Sequence, residues 1–419
     1  MANKNAFIGD VPGMYYDVER KRYFPLSSRP SKGAEAMGMR ERPVCAKKRK
    51  NDVPWDVSSS RDARRRLARA LGPRSDALTR RCTTDRVAST TLHGIAGLCD
   101  CHGKKVTSVK SFGPGGLAVT TDRGQVIISC PDGDAFSFSA CTETLLGVHC
   151  NVARGTWICV ANGNTPHVHS WRRDPLNLVH VPPEQWTLDL PQRDIYTMSS
   201  FDNITSLGLP SSINTVTTTH DNLILSSRRL TSDPWRLHQT STDLVYAGLR
   251  NGNIIVDDLR TGQSRSSVVG TMPHKRLVTG LRRLSDSAVP YGLVAAGLES
   301  QLLLFDVRYP TQPLREFAGH FNPSIPTMGF TTSPDDTVVF AGGSDHRLRA
   351  WDIITGEMLQ PRNSDRRNAL AFKFNHLIEH IDVSPNLTVR TANAGDILRF
   401  EHWESPHEMQ RWSGGDDAL

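Results

Sequence analysis

The adjacent carboxylates Asp257-Asp258 and Asp335-Asp336, fifteen histidines and one Cys-Asp-Cys-His run are residues of this 419-residue chain that could do chemistry. Asp257-Asp258 and Asp335-Asp336 could share a proton, but acid–base work needs carboxyls converging on a substrate in a pocket. Neighbours at a turn or a strand end are expected to be solvated surface. Cys99-Asp100-Cys101-His102 collects soft ligands. Zinc spacing, however, separates paired cysteines by at least two residues, and no second pair stands at a suitable distance. These thiols read instead as buried in a strand. No histidine stands at ligand spacing to another with supporting carboxylates, and there is no phosphate loop, dinucleotide fingerprint or GxSxG elbow. The expectation is a non-enzyme with no metal and no cofactor. The polar residues that do repeat are Asp306 with Arg308 and Asp258 with Arg260, each pair closing an apolar run. Arginine offers a planar fork of donors and is enriched at interface hot spots. For a single copy, pairing with the local acid to hold the turn would be the reading; two copies on consecutive repeat units favour an interface.

The elements that position these pairs are repeats. Gly292–Arg308 holds an apolar strand, a tight turn at Gly297–Ser300 and a second apolar strand that ends in Phe305, Asp306 and Arg308. The layout recurs at Val245–Arg260 and Val339–Asp352, so repetition decides the fold. Aligned unit ends fall at Ser129, Trp171, Ser226, Asp257, Phe305, Trp351 and Phe400, at intervals of 31 to 55 residues. Their mean of about 45 suits the four-stranded blade of a WD-repeat propeller. The expected fold class is all-β, a seven-bladed propeller over residues 88–404 with a polar tail at 405–419. The sixth unit carries Gly319-His320, Asp345 and Trp351-Asp352, which resembles the GH…WD frame of WD-repeat blades. In such blades histidine, aspartate and tryptophan form a buried hydrogen-bonded chain, which makes His320, Asp345 and Trp351 structural. Ala341 stands where the usual serine or threonine link would be. Thr90–Leu98 is expected to add the outer strand beside Ile397–Trp403 and so close the ring.

Residues 1–86 carry 21 Lys/Arg against 10 Asp/Glu, or +11, and the remainder carries 29 against 33, or −4. The basicity belongs to the N-terminal extension, so a nucleic-acid groove on the propeller is not expected. Within the extension (1–87), residues 11–26 cluster Tyr15, Tyr16, Asp17, Tyr23 and Phe24. They form either a small hairpin docked on the domain or a linear motif for a partner. Lys47, Lys48, Arg49 and Lys50 form a compact basic run that reads as a nuclear import signal. Ser58–Leu71 predicts a helix over 60–71, capped by Ser60, with Ala63, Leu67, Ala70 and Leu71 on one face and Gly72-Pro73 as its stop. No apolar run approaches the roughly 20 residues of a membrane span, and the N-terminus lacks an apolar leader. The chain is expected to be intracellular, with reduced cysteines, nuclear and also compatible with the cytoplasm.

Gly292–Arg308 resembles the box found in WD-repeat substrate receptors of cullin-4 RING ubiquitin ligases: small and apolar residues, then Phe305, Asp306, any residue and Arg308. Val245–Arg260 is a second copy with Asp257 in the aromatic place, and the sixth unit departs with Ile354 for the arginine. VPGMYYDVERKRYF is similar to the PGFYYD…RYF opening found among the DDB1- and cullin-4-associated factors, through Pro12, Gly13, Tyr15, Tyr16, Asp17, Arg22, Tyr23 and Phe24. The resemblance implies a non-catalytic substrate receptor whose rim residues Phe305, Asp306, Arg308, Asp258 and Arg260 dock on the ligase adaptor. The cullin-4 scaffold would join through that adaptor, another face would hold an unknown protein substrate, and the 60–71 helix is a candidate for an adaptor groove. The competing readings are a general nuclear WD-repeat scaffold without a ligase, and a chromatin- or RNA-linked propeller.

Overall fold

In the computed structural model, the strand pairs at 14–17 and 22–25 and, short loop segments apart, residues 77–402 are described. The expected helix at 60–71, the basic run Lys47–Lys50 and the Cys99–His102 cluster lie outside the described residues. The N-terminal aromatic stretch forms a hairpin, Met14–Asp17 against Arg22–Pro25, with Tyr15 opposite Phe24 and Tyr16 opposite Tyr23.

The rest builds seven antiparallel sheets, taken here as blades 1 to 7. Blade 1 spans Val106–Phe112 to Ala135–Ser139, blade 2 Thr144–Asn151 to Glu184–Asp189, and blade 3 Thr197–Phe201 to Leu223–Arg229. Blade 4 spans Pro234–Gln239 to Ser267–Thr271 and blade 5 Val278–Arg283 to Arg315–Glu316. Blade 6 has three strands among the described residues, Phe330–Thr332, Val338–Gly342 and Leu348–Asp352. Blade 7 combines His380–Val383, Val389–Asn393 and Asp396–His402 with Thr90–Ile95, an element from the far end of the chain. The register sets Leu92 opposite Phe400 and Thr90 opposite His402, which is the closure expected from sequence. Each innermost strand touches that of the next blade, and His380–Val383 touches Val106–Phe112, so the ring is complete.

The middle strands explain why short apolar runs suffice. Gly292–Gly297 and Leu302–Asp306 are buried along their whole length, because each blade face is covered by a neighbouring blade. The core is accordingly shared between blades. Val294, Leu302 and Leu304 of blade 5 meet Val339, Ala341 and Trp351 of blade 6, and Ile158, Val160 and Val168 of blade 2 meet Leu207 and Val216 of blade 3. Each buried aliphatic side chain contributes about 1.5–3 kcal/mol, against about 1 kcal/mol net for a ladder hydrogen bond. Blade-to-blade burial therefore outweighs the ladders.

Blade 3 departs from the sequence reading. Ser226 lies in the outer strand Leu223–Arg229, and the third strand is Ser212–Thr218. That assignment shortens the 55-residue interval and lengthens the 31-residue one, so the repeat is more even than the sequence suggests. The third strand is disguised by polar residues. Ser212, Asn214 and Thr215 are buried, and Thr215 hydrogen-bonds Ser226 at 2.5 Å.

A helix absent from the sequence reading, α1 (Ala77–Ala88), precedes the closing strand. Its sequence ALTRRCTTDRVA has no apolar stripe, so periodicity cannot reveal it. It is held by single contacts instead. Val87, fully buried, packs with Val338, Phe340 and Leu348, Thr83 Oγ1 donates to Asp335 at 2.8 Å, and the Ala88 carbonyl accepts from Arg362 N and Asn368 Nδ2.

Blade 6 corrects a second expectation. Trp351 is fully buried, but its Nε1 donates to the Ala318 carbonyl at 2.7 Å. Asp345 accepts from Arg349 Nη1 and Nη2 at 2.8 and 2.6 Å. His320 packs edge-on to Trp351, ring centroids 6.1 Å apart, and neither ring nitrogen has a partner among the described residues. The histidine–aspartate–tryptophan chain is not formed, because Arg349 captures the aspartate and Ala341 offers no hydroxyl. Burial, followed by the nearby Arg349 charge, pulls the His320 pKa from its ordinary 6.5 to about 4. The unfolded chain takes up this proton near pH 6.5, and the folded chain does not until about pH 4. Stability from this site is thus present above pH 6.5 and lost as the pH falls toward 4. We expect His320→Gln to lessen the fall in stability between pH 7 and pH 5 by about 2 kcal/mol, read from urea unfolding at the two pH values.

Candidate docking surface at the blade ends

Blades 4 and 5 end their third strands in the same way. Asp306 sits opposite Gly292 and Asp258 opposite Leu244, each at the last position of its strand. The chain then turns so that residue i+2 folds back on the carboxylate. Asp306 Oδ1 accepts from Arg308 N and Nε, both at 3.0 Å, and Oδ2 accepts from Nη2 at 2.7 Å. Asp258 repeats the pattern with Arg260: N and Nε at 3.0 Å on Oδ1, and Nη2 at 2.6 Å on Oδ2. These bonds raise the pKa of both arginines, and the bonds from Arg260 hold the Asp258 carboxyl down to about 2. Each motif is a bidentate clamp that fixes a guanidinium in one orientation.

The two clamps differ in their surroundings. Asp306 is 1% exposed and rests behind Phe305, itself fully buried. The Arg308 guanidinium lies 4.0 Å from the Tyr291 ring centroid and 5.6 Å from that of Tyr309. Both tyrosines are more than 40% exposed, so this corner is an arginine framed by accessible aromatics, a composition typical of interface anchors. Arg260 has no such framing among the described residues, and its side chain is 67% exposed.

Asp257, in the aromatic position of the blade 4 copy, is fully buried, contrary to the expected solvated pair. Arg228 of blade 3 lies 3.7 Å from it and also donates to the carbonyls of Asp258, Leu259 and Thr261. Burial pushes the Asp257 pKa up, and Arg228 opposes that shift. Asp336 is likewise buried rather than solvated, accepting from Thr332 Oγ1 at 2.6 Å and Ser285 N at 2.7 Å. Both aspartates staple neighbouring blades together.

Blade 6 supplies its arginine from elsewhere. Asp352 occupies the equivalent strand end, and its Oδ1 accepts from Ile354 N and Thr355 N at 2.8 and 2.7 Å. Its Oδ2 pairs with Arg80 of α1 at 3.4 Å. The helix therefore puts a cation where Ile354 cannot, which no local pattern in blade 6 discloses.

A central cavity of about 1040 Å³ is lined by the inner strands of all seven blades. Lys105, Lys110, Arg236 and Arg282 make its lining basic. Its histidines are held neutral: burial first, then cationic neighbours, take His149 and His380 to about 4.

This architecture is a seven-bladed β-propeller of the WD-repeat kind. The WD40 β-propeller domain of Doa1 superposes with a TM-score of 0.59, covering 75% of this chain and 97% of that one at 13% identity, a likeness of fold. No family model matches the chain. Among curated proteins it is similar to the uncharacterized WD repeat-containing protein F47D12.9 of Caenorhabditis elegans, 34% identical over 117 residues. It is also similar to DDB1- and CUL4-associated factor 4 of Homo sapiens, 27% identical over 118 residues. Each match covers 28% of this chain, and spans 21% and 23% of those relatives.

Proposed function

We propose that this chain is a non-catalytic substrate receptor of a cullin-4 RING ubiquitin ligase. The observation that carries the reading is the duplicated clamp, Asp306–Arg308 and Asp258–Arg260, which fixes two arginines at equivalent blade ends, one of them framed by Tyr291 and Tyr309. The name of the human relative is consistent with it. In this reading the blade 4 and 5 ends dock on the ligase adaptor, which joins the cullin-4 scaffold, and another face holds the protein substrate. A receptor needs no chemistry of its own, because it raises the local concentration of substrate beside the charged transfer enzyme. The hairpin at 14–25 serves a protein partner, and Lys47–Lys50 directs the chain to the nucleus. A general nuclear scaffold without a ligase is favoured by one feature: both arginines are already satisfied by their own aspartates.

Purification of the tagged chain, wild type beside Arg260→Glu/Arg308→Glu, separates the two. Adaptor and cullin-4 are expected with wild type and absent from the variant. Because the glutamate introduced in place of Arg308 would confront buried Asp306, Arg260→Gln/Arg308→Gln, which keeps a donor for Asp306, serves as the second variant. Recovery of neither ligase subunit with wild type leaves the scaffold reading.

A further inference from the structure

Blade 2 contains a constellation that adaptor docking does not use. His167 and His169 alternate on one strand, so both project from the same face. Cys141, in the turn between the outer strand of blade 1 and the inner strand of blade 2, comes up beside them. One ligand atom from each of the three lies within 4.8 Å of the others. The two rings meet edge-on with centroids 4.4 Å apart.

Four further observations fit a cation here. His169 Nδ1 lies 3.1 Å from Thr187 Oγ1, while its Nε2 is buried and without a partner among the described residues. His167 Nδ1 lies 2.7 Å from the Thr165 carbonyl, the backbone anchoring that orients imidazole ligands. Glu143 reaches the same place, its Oε1 accepting from Asn164 N at 3.0 Å. Its Oε2 is buried without a hydrogen-bond partner among the described residues, 4.0 Å from His167 Nδ1. The Glu143 carboxylate also fills the space over Gly163, where a Cβ would come within 2.1 Å of it. The carboxylate is thus held against the histidines by its surroundings.

We propose that Cys141, His167 and His169, with Glu143 as the neighbouring carboxylate, form a binding site for one divalent transition-metal ion of the zinc type. A soft thiolate with two imidazoles selects zinc over calcium or magnesium, which take oxygen ligands. One thiolate and one carboxylate neutralise the double charge. The thiol proton, now in a bond to the Glu143 carbonyl at 3.3 Å, leaves to solvent when the ion enters. Because the ligands come from the blade 1–blade 2 turn and from blade 2, the ion staples the two blades.

The test uses the full chain carrying Cys99→Ser and Cys101→Ser, so that no signal comes from that pair, stripped with chelator and titrated with Co²⁺ and then Zn²⁺. One equivalent of Co²⁺ with a thiolate-to-cobalt charge-transfer band, displaced by Zn²⁺, is expected. Cys141→Ser should lose the band, and His169→Ala should weaken binding by more than about 100-fold, beyond what loss of a supporting hydrogen bond costs. Cys150→Ser should change neither. No stoichiometric binding, or a band that survives Cys141→Ser, overturns the site. An adaptor-binding result of either sign leaves this outcome unaffected.

Discussion

Deleting residues 77–95 is expected to lower the melting midpoint by on the order of 10 °C and to make the chain more prone to aggregate. The deletion removes the strand that covers the outer edge of Asp396–His402, whose inner edge is paired with Val389–Asn393, leaving a row of backbone groups open to pair with another chain. It also empties the place of Val87 in the blade 6–7 core, frees Asp335 and Asp352 of the Thr83 and Arg80 contacts, and abolishes the bonds of Thr90 and Leu92 to the 367–369 segment. Losing an outer strand and a buried valine together costs about 5 kcal/mol or more. Calorimetry and size-exclusion chromatography of the deletion beside the full chain read both effects. An unchanged midpoint and an unchanged elution volume would mean that the ring does not close through this strand.

Trp351→Ala is expected to cost about 3–5 kcal/mol. The side chain is fully buried between blades 5 and 6, where Phe317, Val339 and Ile353 share its core, and a cavity opens on two blades at once. Its indole N–H also satisfies the Ala318 carbonyl, so truncation leaves a polar atom unpaired as well as a void. Trp351→Phe separates the two effects. It keeps most of the volume and loses the hydrogen bond, for about 1–2 kcal/mol. Urea unfolding of both variants should give that order, and equal losses would mean the hydrogen bond outweighs the packing.

The fold was largely legible because most blades repeat an apolar strand pair with a turn between, and because Thr90–Leu98 and Ile397–Trp403, observed as strands Thr90–Ile95 and Asp396–His402, both read as strands at opposite ends of the propeller. What escaped has a common cause. Ser212–Thr218 is a strand in which buried Ser212, Asn214, Thr215 and Thr218 surround only two apolar residues, Ile213 and Val216, so hydropathy does not mark it. Helix α1 docks through isolated residues and has no stripe to detect. The repeated Asp-x-Arg pairs could be read from Asp306, Arg308, Asp258 and Arg260, but not whether each arginine holds its own aspartate, since a local pair and a partner contact look alike until the geometry is known. Arg80 reaches Asp352, and Arg228 reaches Asp257, across chain separations that no local pattern encodes. The same holds for Cys141 beside His167 and His169. The sequence offered only a pair of histidines, and the turn from the preceding blade brings the thiol to them.

The measurement that bears most directly on the receptor reading is a titration of the purified 419-residue chain against the purified adaptor of cullin-4 ligases, wild type beside Arg260→Gln/Arg308→Gln. Saturable binding by wild type that weakens by at least about 100-fold in a variant with an unchanged melting curve is the predicted result, since two anchoring arginines at about 1.5–3 kcal/mol each account for it. Absence of wild-type binding, or equal affinity in the folded variant, would contradict it.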